Sequence, residues 1–265
     1  MSKRAKLLPL TLPTKNQLDL VFTLASNDLK LRYRRSSLGP FWITISTGTL
    51  IATIGTVFGL AFHMEMTEYL PHLSFGLIFW TFISGGLQEC CSAFLSAESL
   101  IKQHRAPLQI HVWRVVLRNI LILAHNVIIL AVVVLVFPQD KFSWTMVIIF
   151  LFSVILISLF MYGFGSILAF FCLRYRDFSQ IIANILQILF YSTPIVWLHQ
   201  QSTNSIFDTA LSLNPINHLL NTFRGPILDD FNGISFFVSL SLVLIGWVLS
   251  IIVYRGWSRR APYWL

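Results

Sequence analysis

The chain has 265 residues, of which 55% are hydrophobic and only 11% are charged, and its formal net charge is +8. A water-soluble surface requires a larger charged share, so this composition excludes an ordinary soluble domain and favours a protein whose solvent is the bilayer. The cysteines, Cys90, Cys91 and Cys172, fall inside apolar runs. They predict neither a disulfide framework nor a metal site, and we interpret them as small core residues.

The polar and basic leader predicts an amphipathic helix over about residues 14–30. Thr14 and Gln17 follow Pro13 with the spacing of a capping box. The segment is too short and too polar to span a membrane, so we expect it to lie in the interface. Its apolar face would consist of Leu18, Phe22, Ala25 and Leu29.

A sharp turn is predicted directly after the leader, at Gly39 and Pro40. Glycine permits the turn, and proline suits the first position of the helix that follows. Trp42 comes next and is typical of the membrane interface. The chain would therefore lie flat and then turn abruptly into the membrane.

Six apolar runs are long enough to cross a hydrocarbon core of roughly 30 Å, for which a helix needs about 20 residues. We predict an all-α integral membrane fold with six transmembrane helices in one domain. The predicted spans cover about residues 41–62, 73–95, 115–137, 144–173, 179–198 and 234–254.

The positions of lysine and arginine predict the orientation of these spans. With six crossings, all of the 19 basic residues except Lys141 and Arg224 fall in the termini, at cytoplasmic span ends, or in the second and fourth connections. Cytoplasmic segments carry such an excess, so both termini should be cytoplasmic. Contact with anionic lipid then explains the net charge without a nucleic acid partner.

Two connections are predicted to have structure of their own. The loop 96–113 is polar and basic, and a short helix before Pro107 is plausible beside the alternative of a solvated loop. The connection 199–233 is longer than most structureless loops. Apolar residues recur around Asn214 and Pro215, which predicts two short re-entrant helices in the outer leaflet. Such helices would line a pathway, because exposed irregular backbone is not tolerated in lipid.

The sequence contains no phosphate-binding loop of the G-x-x-x-x-G-K-[ST] type, and it contains no zinc-protease or nucleophile-elbow motif. Glu89, Arg118 and His125 are the ionisable residues that fall clearly within spans. Such residues are functional candidates, because a charge inside a membrane costs free energy. Each also has a structural interpretation: Arg118 could snorkel or pair with Glu89, and His125 could form a hydrogen bond between helices.

The order of several motifs resembles the membrane subunits of ABC transporters that export bacterial polysaccharides such as O-antigen, capsule or teichoic acid. The resemblance covers nearly the whole chain. The motifs are Arg32-Tyr33-Arg34, Leu38-Gly39-Pro40-Phe41-Trp42, Arg174-Tyr175-Arg176-Asp177-Phe178, Ser192-Thr193-Pro194-Ile195, and Asn214-Pro215 followed by Arg224.

This resemblance implies a homodimer in the bacterial inner membrane that docks on two copies of a cytoplasmic ATPase. ATP and Mg²⁺ would bind to that partner, and no cofactor would bind to this chain. The cargo would be a glycan on a polyprenyl diphosphate, with O-antigen as the first choice.

The resemblance also implies roles for particular residues. Asn214, Pro215 and Arg224 would gate the exit. Arg34, Arg35 and Arg105 are candidates for the substrate entrance, where they could meet the diphosphate, although lipid contact explains them equally well. The residues expected to couple to the ATPase are Arg32, Arg34, Arg35, Gly39, Pro40, Glu98, Lys102 and Arg105.

The sequence is also compatible with three other functions. A membrane-embedded lipid-modifying enzyme could use Glu89, His125 and His104 as acid or base. A secondary flippase is also possible, although no inverted duplication is visible and intramembrane charges are few. An exporter of peptides or drugs could have a similar architecture.

Overall fold

The computed structural model describes residues 14–32, 34, 36–39, 41–103, 107–138, 143–198, 205–228 and 232–265, with the side chains of residues 205–207 left aside. Within these ranges the secondary structure is helical and contains no strand, which confirms the all-α prediction. The helices are α1 Lys15–Arg32, α2 Phe41–Ala61, α3 Met66–Cys91, α4 Glu98–Gln103, α5 Gln109–Val136, α6 Trp144–Arg174, α7 Phe178–Ser192, α8 Ser205–Leu213, α9 Pro215–Arg224, α10 Gly233–Trp257 and α11 Ala261–Trp264.

Five of the described helices, α2, α3, α5, α6 and α10, are long and apolar enough to cross a membrane. Two of them begin before the predicted spans. Helix α3 starts at Met66 rather than at residue 73 and contains Pro71, while α5 starts at Gln109 rather than at residue 115. An apolar run marks only the part of a helix that suits hydrocarbon, whereas backbone hydrogen bonds continue into the flanking polar residues.

The predicted fifth span, 179–198, is only partly helical. Helix α7 has 15 residues and ends at Ser192. Thr193 is extended, with φ −106° and ψ 137°, because a residue that precedes proline is disfavoured in the helical conformation. The chain continues through Pro194 to Leu198 without regular structure.

Helices α3, α6 and α10 finish at one end of the bundle, and α5 and α7 begin there. We call it the basic end because of its charged residues. Gln88 of α3 donates a hydrogen bond to Ser179 at the start of α7, with 3.2 Å between Nε2 and Oγ. Val196 instead lies beside the start of α3, where its carbonyl accepts a hydrogen bond of 2.9 Å from Tyr69 Oη. Residues 178–198 therefore run from the basic end to the opposite end.

Helices α6 and α10 run in the same direction and make the most extensive helix pair in the described structure. Phe152 lies 5.9 Å from Phe236 near one end, and Phe171 lies 4.9 Å from Trp257 near the other, as ring centroids. The backbones approach closely at Gly163, where an added Cβ would lie 2.9 Å from a backbone carbon of Gly246. Small residues permit such helix contacts in membranes.

The predicted leader helix is present as α1, but its buried face differs from the predicted one. Val21, Ala25 and Leu29 are buried, whereas Leu18 and Phe22 are exposed. The buried face is set by the α5 surface on which α1 lies. At the helix start, Gln17 Oε1 accepts a hydrogen bond of 2.9 Å from the backbone N–H of Thr14, as in a capping box.

The connections between the long helices have the local structure that was predicted from the sequence. Gly39 has φ +56°, a left-handed conformation that favours glycine. Helix α4 is the short helix expected before Pro107, and α8 and α9 are two short helices on either side of Asn214. Pro40, Arg35 and Arg105 lie outside the described residues, as does His104.

Candidate functional site

Five charged side chains form a continuous cluster at the basic end of the bundle. They come from three helices that are distant in sequence: α1, the last turn of α3, and the first turns of α5. The cluster consists of Asp28, Arg32, Glu89, Arg114 and Arg118.

Glu89 is paired on both of its carboxylate oxygens. Arg32 donates from Nη2 to Oε1 at 2.8 Å, and Arg118 donates from Nη2 to Oε2 at 2.8 Å. The amide of Asn119 also donates to Oε2, at 2.8 Å. The pairing of Glu89 with Arg118, which the sequence left open, is thus present, and Arg32 joins it from α1.

Asp28 completes the cluster from the buried face of α1. Arg118 Nη1 donates to its Oδ2 at 3.0 Å, and Arg114 Nε donates to the same oxygen at 2.6 Å. A second bond joins Arg114 Nη2 to Oδ1, so this pair is bidentate. The Asp28 side chain is only 12% exposed, and bidentate charge-assisted bonds of this kind are strong and geometrically specific.

The cluster bonds the leader helix to two long helices of the bundle. Arg118 is the central residue, because it contacts Asp28 of α1 and Glu89 of α3 while belonging to α5. Three guanidinium groups face two carboxylates, so the cluster keeps one excess positive charge. A displacement of α1 would break these bonds, and the positions of α1, α3 and α5 are therefore mechanically linked.

Sequence reasoning identified Arg32, Glu89 and Arg118 but missed Asp28 and Arg114 as members of one site. A signal for Asp28 was available: it lies three residues after Ala25 and seven after Val21, so it shares the buried face of α1. An acid on the packed face of a basic helix requires a partner, because an unpaired buried charge is costly.

The remaining coupling candidates are exposed. Arg34 is exposed in the segment between α1 and α2. Glu98 and Lys102 pair with each other on α4 at 2.6 Å, and this hydrogen bond holds the pKa of Glu98 below its ordinary value. Helix α4 therefore presents an internally neutralised pair at the basic end, rather than two free charges.

His125 takes no part in the cluster. Its Nδ1 lies 2.7 Å from the carbonyl oxygen of Leu121, and its ring meets Phe41 edge-on with 5.9 Å between centroids. It lies seven residues beyond Arg118 on α5, roughly 10 Å along the helix. Among the described residues, Glu89 and His125 do not form the acid–base pair that a lipid-modifying enzyme would need.

A second polar assembly lies at the opposite end, around the predicted exit residue Arg224. The Arg224 side chain is buried, and its Nη1 donates to the carbonyl oxygen of Pro194 at 3.0 Å. The same nitrogen lies 3.2 Å from the ring nitrogens of His72, while Nη2 donates to Asn221 Oδ1 at 3.1 Å. Arg224 thus joins α9 to the Pro194 segment and to the start of α3.

Asn214 contributes to the same assembly from the junction of α8 and α9. Its Oδ1 caps α9 by accepting from the N–H of Ile216 at 3.0 Å, and Pro215 occupies the first turn of that helix. The Asn214 amide donates to Thr193 Oγ1 at 3.0 Å. The three predicted exit residues are therefore brought to one end, around residues 193–198.

A groove of about 580 Å³ lies between α2, α3 and α7. Its accessible lining is mainly apolar and aromatic, with a few hydroxyl and amide groups. The polar members come from α3 and α7 and include Thr81, Ser84, Gln88 and Gln187, and the aromatic members are Trp80 and Phe190.

These features define a multi-pass membrane protein with a largely apolar, half-open groove and a leader helix that is joined to the bundle by ion pairs. A model of the ABC-2 type transporter family matches residues 19–228, and the chain belongs to that family. The match includes the cluster, the groove and the Arg224 assembly, and it confirms the family resemblance drawn from the sequence motifs.

Relatives of this chain are aligned over nearly their whole length. The O-antigen export system permease protein RfbA of Myxococcus xanthus is 29% identical over 255 residues, which cover 92% of this chain and 94% of the relative. Two permeases of the same name from Klebsiella pneumoniae are 24% and 23% identical, and each alignment covers 89% of the relative.

Proposed function

We propose that this chain is the membrane subunit of an ATP-driven exporter that moves a lipid-linked polysaccharide, O-antigen in the first place, across the bacterial inner membrane. The observation that carries this proposal is the full-length similarity to O-antigen export permeases, together with membership of the ABC-2 type transporter family. The absence of a phosphate-binding loop from the sequence supports a separate source of energy.

The working unit in this proposal is a homodimer with two copies of a cytoplasmic ATPase. The groove between α2, α3 and α7 is open on one side, and a second copy facing it would close it into a pathway. Aromatic faces and small polar groups suit a glycan, because they offer stacking with little directional restraint. ATP and Mg²⁺ would be bound by the ATPase, and this chain would need no cofactor.

Energy would be transmitted at the basic end. Helix α4 and the Gly39–Pro40 turn would meet the ATPase, with Arg32, Arg34, Arg35, Glu98, Lys102 and Arg105 at the contact. The ion-pair cluster supports this role, because a movement of α1 is transmitted directly to α3 and α5. Arg34, Arg35 and Arg105 would also receive the diphosphate of the cargo.

The topology in this proposal has six crossings and both termini in the cytoplasm. Residues 178–198 would form the fifth crossing, a short helix completed by an irregular segment. This is supported by the parallel arrangement of α6 and α10, which requires the chain to return between them. Helices α8 and α9 would then dip into the outer leaflet, where Asn214, Pro215 and Arg224 would gate the exit.

Deletion of the gene in its host tests the proposal. We expect the surface glycan to disappear while lipid-linked polymer accumulates inside, and a plasmid copy of the wild-type gene should restore export. An unchanged cell surface would exclude the glycan cargo. Co-purification with an ATPase tests the motor separately, and transport by the purified dimer without nucleotide would refute an ATP-driven mechanism.

A further inference from the structure

One face of α10 and the turn after it combine an exposed apolar stripe with two arginines at the basic end. The stripe consists of Leu244, Ile245, Val248 and Ile252, whose side chains are 50–61% exposed. At 100° per residue, these four residues share one helix face with Arg255. Arg259 lies in the turn after α10, on the continuation of this face, because Ser258 keeps helical backbone angles and its N–H donates to the Tyr254 carbonyl oxygen at 3.0 Å. Both arginines are exposed.

The opposite face of α10 is fully occupied by the bundle. Gly246, Ser250 and Tyr254 are buried on it. Trp257 continues this face, with its ring centroid 4.9 Å from that of Phe171 and 5.5 Å from that of Trp264. The packing fixes the rotation of α10, so the stripe and its arginines point away from the other helices.

The charges on this stripe differ from those of the cluster. Arg114 and Arg118 are paired with carboxylates, whereas no carboxylate among the described residues forms an ion pair with Arg255 or Arg259. Side chains four residues apart on a helix are neighbours, with about 5–6 Å between their Cβ atoms. Two guanidinium groups at this spacing can bind one phosphate between them.

We propose that Arg255 and Arg259 bind the phosphate of an anionic phospholipid, whose acyl chains lie along Val248 and Ile252. The ligand must carry a negative charge that continues into about 10 Å of apolar surface, and a bilayer lipid has this arrangement. The site is distinct from the coupling and exit residues, and it does not depend on which cargo is exported.

A second copy of the chain is a poorer occupant of this face. Two copies in one membrane share the same orientation, so a symmetric contact along α10 would place Arg255 and Arg259 opposite the same arginines. Like charges brought together in this way repel each other. An anionic headgroup neutralises the pair instead.

The test is native mass spectrometry of the purified full-length protein during titration with dioleoyl phosphatidylglycerol, with dioleoyl phosphatidylcholine as the zwitterionic probe. We expect the wild type to prefer phosphatidylglycerol. The double variant Arg255→Gln/Arg259→Gln should lower that affinity roughly ten- to thirtyfold, because each basic residue near the headgroups changes the affinity about fivefold.

Two further variants make the result specific. Arg176→Gln/Arg260→Gln removes the same charge from exposed positions at the basic end but outside the stripe, and it should change the affinity less than twofold. Arg255→Lys/Arg259→Lys keeps the charge and should retain most of the binding, which separates a loss of charge from a loss of folding.

Three results would overturn the proposed site. The first is an equal loss of affinity in both glutamine variants, and the second is equal affinity of the wild type for the two lipids. The third is binding that is unchanged by Arg255→Gln/Arg259→Gln.

Discussion

Asp28 is the residue that bonds the basic leader helix to the helix bundle. It accepts hydrogen bonds from two arginines of α5, and one of these arginines also binds Glu89 of α3. The separation of 86 residues between Asp28 and Arg114 means that the bond forms only when the bundle is assembled. The leader helix is therefore held by specific pairs as well as by its apolar face.

Substitution of Asp28 by asparagine should lower the free energy of unfolding by about 2 kcal/mol, because two partly buried guanidinium groups lose their carboxylate. Thermal unfolding of the purified protein measures this change. Asp19→Asn is the matched control, since Asp19 is an exposed acid on the same helix, and its effect should be within about 0.5 kcal/mol. Equal effects of the two substitutions would contradict a structural cluster.

Arg224 has a different role from the arginines of the cluster, because its guanidinium donates to a backbone carbonyl and a side-chain amide. It donates to the Pro194 carbonyl and to Asn221 Oδ1, and it is buried. The Pro194 carbonyl lies in a segment without regular backbone pairing, so it depends on a side-chain donor.

Replacement of Arg224 by glutamine should lower the free energy of unfolding by about 1–3 kcal/mol, since buried acceptors would lose their donor. Surface-glycan staining of a complemented deletion strain would show whether export falls as well. Arg260→Gln, an exposed arginine at the other end of the bundle, should leave both stability and export near wild type. Wild-type stability of the Arg224→Gln variant would show that the assembly is not structural.

At the scale of elements, the pair α6 and α10 is the most extensive contact in the bundle. Gly163 allows the two backbones to approach, and Trp247 of α10 donates from Nε1 to the carbonyl oxygen of Leu159 on α6 at 3.0 Å. Without a hydrophobic driving force in lipid, such close packing and interhelical hydrogen bonds hold helices together.

Gly163→Ala should destabilise the protein by about 1–3 kcal/mol, because the new Cβ would lie 2.9 Å from the backbone of α10 and the helices would have to separate. Thermal unfolding again provides the measurement. Gly48→Ala is the control: the nearest atom to a Cβ there lies 3.8 Å away, an ordinary contact. That variant should be neutral or slightly stabilised, because alanine favours a helix more than glycine.

At the scale of the whole molecule, the topology depends on whether residues 178–198 cross the membrane. Five described helices meet the length and apolarity needed to span, and five crossings would place the two termini on opposite sides. Arg255, Arg259 and Arg260 would then be external, against the bias of basic residues towards the cytoplasm. A sixth crossing through α7 and Pro194 removes this conflict.

Cysteine labelling in intact cells tests the number of crossings. Gln103→Cys should react only with a permeant reagent, whereas Gly233→Cys, at an exposed position just before the final long helix, should react with an impermeant reagent added outside. The natural cysteines are buried and provide a low background. Labelling of both positions from the same side would show that residues 178–198 do not cross the membrane.

The sequence by itself determined the helical class of this protein, the bilayer as its solvent, five of the six predicted spans and the asymmetry of its basic residues. These features follow from the transfer free energies and charges of neighbouring residues, which depend little on the rest of the chain. Local chemistry also sufficed for the Gly39 turn and for the two short helices around Asn214, because each depends on a few adjacent residues. It left the short α4 helix open beside a solvated loop.

Only the tertiary structure decided which residues meet. The buried face of α1 is set by the α5 surface beneath it, and the partners of Asp28 and Arg224 are distant in sequence. The end of α7 before Pro194 is a local effect of proline, but hydropathy could not show that the chain after it continues to the opposite end of the bundle. Ion pairs and irregular segments are selected by the surfaces that enclose them, and those surfaces exist only in the folded bundle.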